Sequence, residues 1–357
     1  MAAHSRLRSL VISAAAAALV APLAIVAALA SPASAAVGPR PHEVYLYKVE
    51  AQVDLSGEFP DNYAHEHLYC NDGDDALDGM WRVDHVDQAN PQLDMYGDER
   101  DVVFHASYSD YNDPSMWHFR FENFADGNAQ VKLFLTCIRK QTEQNAGHKH
   151  GIGFDPLYRT FSVEHVASGD TMGTVGFHGD SPAAQPCPTG FYAVAPGFNF
   201  TDVNEDHGNR LVGSWPNATG TSWQWRFLIG HDDTKVDLAF RCLSSKVLPF
   251  GGHRHLLPMK WRPNAASGGF QDNLWSNGIQ EKRYSCDDGA DGAAYQAYKA
   301  MVGAFWIYDP FHVWFLGMDP RPKTRAYKFW YESGSRQIAL ATFCVRSRTG
   351  KQIAPSA

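Results

Sequence analysis

The stretch Trp117 to Cys137 reads WHFRFENFADGNAQVKLFLTC, and the chain contains it three times. The second copy, Trp223 to Cys242, reads WQWRFLIGHDDTKVDLAFRC, and the third, Arg325 to Cys344, reads RAYKFWYESGSRQIALATFC. Each has an aromatic pair two apart (Phe119/Phe121, Trp225/Phe227, Tyr327/Phe329) and then a short polar break. An aliphatic pair two apart follows (Val131/Leu133, Val236/Leu238, Ile338/Leu340), with a Cys six residues after its first member. Alternation of period two on both sides of an Asp/Gly/Ser break predicts a β-hairpin with one buried face. The polar residues at the alternate positions, His118/Arg120, Gln224/Arg226 and Lys328, are expected on a solvated outer face.

The late Cys of the three copies lie at 137, 242 and 344, so the period is close to one hundred residues. That is too long for a solenoid repeat and suits a small β-sandwich. Each copy also has an early Cys in a turn: Cys70-Asn71-Asp72-Gly73, Cys187-Pro188-Thr189-Gly190 and Cys286-Asp287-Asp288-Gly289. Six Cys permit 15 pairings, and the repeat favours Cys70–Cys137, Cys187–Cys242 and Cys286–Cys344. A zinc site is the competing reading, but no pair has C-x-x-C spacing. The expected fold is therefore all-β: three tandem disulfide-closed antiparallel β-sandwich-like units over residues 42–146, 147–251 and 252–357. Ala293 to Val302 is the only helix-like stretch, and its alignment with the other units predicts a strand. The short linkers leave little slack, which implies a semi-rigid rod or a compact trefoil.

The first 35 residues read as a signal peptide. Arg6 and Arg8 precede an Ala/Leu/Val run from Leu10 to about Ala30, and Ala33-Ser34-Ala35 fits a signal-peptidase site. The run is mostly Ala and is broken by Pro22, which argues against a retained anchor. Cleavage after Ala35 takes the formal charge from −8 to −10. An acidic, secreted chain without basic clusters excludes nucleic acid as a partner and disfavours an anionic membrane surface. Residues 36–41 (Ala36, Val37, Gly38, Pro39, Arg40, Pro41) form an extended arm, because two Pro and one Gly forbid a helix. Such an arm can add to a partner as a strand or plug.

Three His-x-His pairs occur: His65/His67, His148/His150 and His253/His255. On a strand, positions i and i+2 share a face, so each pair can offer two imidazoles to a metal. No third ligand is evident, and the pairs read first as strand starts, so no metal or other cofactor is assigned. The acids Asp72, Asp74, Asp75 and Asp78 after Cys70 lack EF-hand spacing and read as a solvated turn rather than a calcium loop. There is no G-x-S-x-G, and every Cys has a structural explanation, so the chain is read as a non-enzyme. The best binding candidate is the aromatic run from Phe305 to Phe315, with Trp306, Tyr308 and Trp314 expected on outward rows that stack sugars or bury into a partner.

The stretches Leu77 to Gln88 and Met318 to Arg325 resemble motifs of secreted actinobacterial, Streptomyces-type proteins built from tandem Cys-closed β-units. The size, signal, Pro-containing arm and lack of a catalytic motif are similar to the adaptor subunits of Streptomyces umbrella toxin particles. The resemblance implies a secreted adaptor that joins other secreted proteins, possessing no catalytic site. The alternative reading is a carbohydrate-binding, lectin-like protein acting on extracellular polysaccharide.

Overall fold

The computed structural model describes residues 41–86, 98–125, 127–143, 147–165, 173–178, 185–201, 209–229, 234–262, 270–274, 278–286, 298–332 and 334–354. The first unit supplies β1 (Leu46–Leu55), β2 (Tyr63–Tyr69), β3 (Asp75–Val86), β4 (Val102–Ser109), β5 (Met116–Asn123) and β6 (Ala129–Ile138). The second supplies β7 (Arg159–His165), β8 (Gly173–His178), β9 (Phe191–Phe200), β10 (Arg210–Pro216), β11 (Trp223–Ile229) and β12 (Thr234–Ser244). The third supplies β13 (Arg254–His255), β14 (Met259–Arg262), β15 (Phe270–Leu274), β16 (Gly278–Ser285) and β17 (Tyr298–Ile307). It ends with β18 (Val313–Pro320), β19 (Thr324–Tyr331), β20 (Arg336–Arg346) and β21 (Gln352–Ile353). The fold is all-β, as the alternating sequence requires. The helix-like stretch before Val302 is strand from Tyr298 onward; its earlier residues lie outside the described ones.

Pairing shows why the chain repeats. In each unit one half-sheet has three strands, or four in the third unit (β1-β6-β3, β7-β12-β9, β14/β15-β20-β17), and three strands form another (β2-β5-β4, β8-β11-β10, β16-β19-β18). Each half-sheet is then continued by a half-sheet of the next unit. The seams are β4 with β9, β10 with β17, and β18 with β3. The third seam returns to the first unit, so the units close in a ring about a pseudo-threefold axis. Of the two arrangements expected for the linkers, this is the trefoil and not the rod.

The repeated hairpins supply the core. The aromatic pairs Phe119/Phe121, Trp225/Phe227 and Tyr327/Phe329 are buried, as are the aliphatic pairs that follow them. At the centre, Trp81 of the first unit stacks on Phe104 at 4.2 Å and meets Phe198 of the second at 6.1 Å and Phe315 of the third at 5.7 Å. One indole thus touches all three units. The outer positions of the hairpins are less wet than alternation suggests. Lys328 is buried, and its ammonium donates to the carbonyl oxygens of Val83 and Asp84. Joining β18 to β3 covers a face that would be open in an isolated unit.

The disulfides are Cys70–Cys137, Cys187–Cys242 and Cys286–Cys344. Each ties the turn that precedes β3, β9 or β17 to the unit's last long strand, which pins its two half-sheets together. In the first two turns the fourth residue, Gly73 or Gly190, has φ of +80° or +86°, a region open to glycine. Of the acids after Cys70, Asp72 is exposed and Asp74 half-buried in the turn, but the other two are not solvated. Asp75 is buried against Arg241 at 3.0 Å, and Asp78 is buried beside Arg325. Both arginines come from other units, so seam formation converts turn residues into interior ones.

Gly317 stands at the β18–β3 seam with φ +120°, and a Cβ there would lie 2.0 Å from the Trp81 carbonyl oxygen. Backbone cannot retreat from that contact as a side chain would. Gly317→Ala is expected to cost about 2–3 kcal/mol, read as a lower urea midpoint. A loss under about 0.5 kcal/mol would mean that the seam is not closed in solution.

Candidate functional site at the threefold axis

The linkers between units converge at one end of the axis. Isolated bridges pair Glu43 with Arg348, Gln141 with Gly151, and Lys246 with Leu256. These three bridges are equivalent around the ring, so His42, His150 and His255, one residue before each partner, are equivalent too. All three are buried, and their ring centroids are 4.6, 5.0 and 5.1 Å apart, close to an equilateral triangle. Each turns Nδ1 towards the carbonyl oxygen of a neighbouring linker: His42 to Glu143 at 3.4 Å, His150 to Leu248 at 2.9 Å and His255 to Gly350 at 3.3 Å. The Nε2 atoms of His150 and His255 are buried with no hydrogen-bond partner.

His148 and His253 form a second layer. Their Nε2 atoms are 3.1 Å apart, and the His148 ring stacks on Phe250 at 4.9 Å. Exposed Leu248, Phe250 and Leu256 edge this end of the molecule. Burial lowers the pKa of His150 and His255 and takes His42 down to about 4. The proximity of the other imidazoles adds to this effect, and the buried rings are neutral at pH 7.

A second histidine group lies on the face of β2 and β5. His65 and His67 point to one side, and His118, opposite His67 in the register, joins them. Its Nε2 is 2.8 Å from Asp110, and Tyr108 stacks on its ring at 4.7 Å.

No family model matches the chain. No curated protein matches it either.

The structure brings two of the three His-x-His pairs together and sets a third histidine beside the remaining one. Reading the pairs separately missed both His42 and His118. His42 was findable, since Pro39-Arg40-Pro41-His42 occupies the position of Gly147-His148-Lys149-His150 and Gly252-His253-Arg254-His255. Its partner position holds Arg40 rather than His, which hid the third copy.

The binding residues expected elsewhere fare differently. Val37, Gly38, Pro39 and Arg40 lie outside the described residues, and Pro41 leads directly into axial His42. The aromatic run is not one alternating strand: it breaks between Ile307 and Val313, and β17 and β18 belong to different sheets. Trp306 is half-buried across Gly213 at a seam, under the Arg226 guanidinium. Tyr308 is exposed and accepts a hydrogen bond from Gln271 at 3.4 Å. Trp314 meets Trp330 edge-on at 4.8 Å, with the guanidiniums of Arg210 and Arg100 over its ring at 4.2 and 5.1 Å. Of the three only Tyr308 is exposed, because seam formation half-buries the other two against residues of the second unit.

Proposed function

We propose that this chain is a secreted, non-enzymatic protein that joins other secreted proteins, holding its partner at the axial end through the N-terminal arm. The observation that carries this reading is the coincidence of the arm's point of attachment with exposed apolar residues. Residues 36–40 lead through Pro41 to His42, beside exposed Leu248, Phe250 and Leu256. A segment whose sequence forbids a helix, rooted at an apolar rim, suits strand or plug insertion. The ring behind it supplies a rigid base. Three disulfides suit an oxidising compartment, and among the described residues no helix is long and apolar enough to cross a membrane. The strongly perturbed acid Asp78 is buried beside Arg325, where it serves the fold. The resemblance to umbrella-particle adaptors points the same way.

The test is the native size of the secreted protein. A copy with a non-histidine affinity tag is expressed in its producing organism and recovered from the supernatant by size exclusion. Expected is a complex with defined protein partners, lost when residues 36–40 are deleted while the fold is retained. A free species of its own mature mass would overturn the adaptor reading. Glycan arrays would then test the carbohydrate-binding alternative, with exposed Tyr308 as its first residue to substitute.

A further inference from the structure

We infer that the axial histidines form a binding site for a divalent transition metal ion of the zinc class, with His42, His148, His150 and His253 as ligands. The four residues can each present a ring nitrogen so that all four nitrogens lie within 4.8 Å of one another. A tetrahedral zinc with Zn–N near 2.0–2.1 Å needs its nitrogens roughly 3.3 Å apart. The Nε2 atoms of His148 and His253 are already at 3.1 Å, so the outer pair has the required spacing. Nitrogens at the 4.8 Å limit of the group need to close by about 1.5 Å to reach the same spacing.

Three further features point to an ion rather than to packing. Imidazoles are polar, and a buried nitrogen without a partner costs free energy. Here the Nε2 of His150 is in that position inside the cluster, as is the Nε2 of adjacent His255. Second, the Nδ1 of His150 faces a backbone carbonyl oxygen at 2.9 Å. That contact makes Nδ1 the protonated nitrogen and aims the Nε2 lone pair inward, as the outer partner of a metal-bound histidine does. Third, the ligand set is all nitrogen, which favours zinc and its neighbours and disfavours calcium and magnesium, whose sites are built from oxygen.

The ligands come from the start of the first unit and from both inter-unit linkers. One ion would therefore tie the start of the first unit to both points at which the chain passes from unit to unit, and would fix the root of the arm. His255, two residues after His253 in the second linker, lines the site beside them. The His65/His67/His118 group on the open sheet face is the natural internal comparison.

The experiment uses untagged, full-length mature protein stripped with chelator. Zn2+ alone is added in equilibrium dialysis, and Co2+ serves as a spectroscopic substitute whose visible absorption reports four-coordinate nitrogen ligation. Expected is one equivalent of Zn2+ retained by His65→Ala/His67→Ala, and a rise in thermal midpoint when it binds. His148→Gln/His253→Gln, which changes the two less buried ligands, should lose more affinity than the roughly 100-fold that even a supporting residue can cost. The inference is overturned if the His148→Gln/His253→Gln protein is folded and binds as the His65→Ala/His67→Ala protein does. It is equally overturned if neither binds Zn2+. Should His148→Gln/His253→Gln not fold, histidine 15N resonances of the wild type decide: those of His42, His148, His150 and His253 must shift as Zn2+ is added, and unchanged resonances sink the site.

Discussion

Arg325→Met is expected to destabilise the protein by roughly 3–5 kcal/mol, because it strips the partner from a carboxylate sealed in the core. Arg325 is 1% exposed; its guanidinium donates to the Met301 carbonyl oxygen at 2.6 Å and the Thr136 hydroxyl at 3.1 Å, and its Nε lies 3.7 Å from Asp78. Asp78 in turn accepts the Gly303 N–H at 2.9 Å. The pair therefore clamps β3 of the first unit to β17 and β19 of the third, beside the seam that closes the ring. In the other two hairpins the position of Arg325 is held by Trp117 and Trp223, each fully buried and donating Nε1–H to a serine, Ser107 or Ser214. Changing both partners, as Asp78→Asn/Arg325→Met, keeps an acceptor for Gly303 and removes the buried charge. That double variant should recover most of the loss. A double variant as unstable as Arg325→Met alone would show that packing of the long side chain, and not its charge, is what matters.

The same pair sets a pH dependence. Burial raises Asp78 to about 7, against the opposing pull of Arg325. A carboxyl whose folded pKa exceeds its unfolded value binds a proton more tightly when folded. Its contribution is complete below the unfolded value near 3.8 and is lost as pH rises through about 7. Wild type should therefore lose stability relative to Asp78→Asn between about pH 4 and 7, by at most about 1.4 kcal/mol per pH unit. Urea unfolding of both proteins at pH 5, 6 and 7 measures this, and parallel curves would refute it.

Removing the Cys187–Cys242 bridge, as Cys187→Ala/Cys242→Ala, is expected to cost about 4 kcal/mol, the chain-entropy value for a loop of this size. The cysteines are 55 residues apart in the chain. The location of the damage is more telling than its size. Strands β9 and β12 share a sheet with β4 of the first unit, while β10 and β11 share one with β17 of the third. Loosening the middle unit thus exposes an edge in each neighbour. Hydrogen exchange should show amides of all three units losing protection together. Loss confined to residues of the middle unit would mean that the units are independent sandwiches that merely touch.

Much of this architecture was legible in the sequence, for a definite reason. Alternation in the three hairpins reports which side chains face the core, and the spacing of Cys reports which segments meet within a unit. Both are local or one-unit properties. The seams are not, since the edge of a half-sheet carries the same alternation whether it meets solvent or another unit. Hence Lys328 and Asp78 read as outward residues and are interior ones, and the Phe305–Phe315 run read as one strand and is two. The axial site was half legible. Two His-x-His pairs stood out, but only the closure of the ring places His42 beside them.

That closure also governs when the chain can become folded. His42 donates its N–H to Thr349 at 2.8 Å, Val44 to Ser347 at 2.7 Å, and Arg82 sits opposite Gly317. These contacts join residues more than two hundred positions apart, which gives the topology a high contact order and a slow final step. A nascent chain that has not yet delivered Ser347, Arg348 and Thr349 lacks the bridge and hydrogen bonds that hold His42 to Val44. The ring therefore locks only once Ser347 to Thr349 have been made, and His42, at the root of the N-terminal arm, is fixed only then.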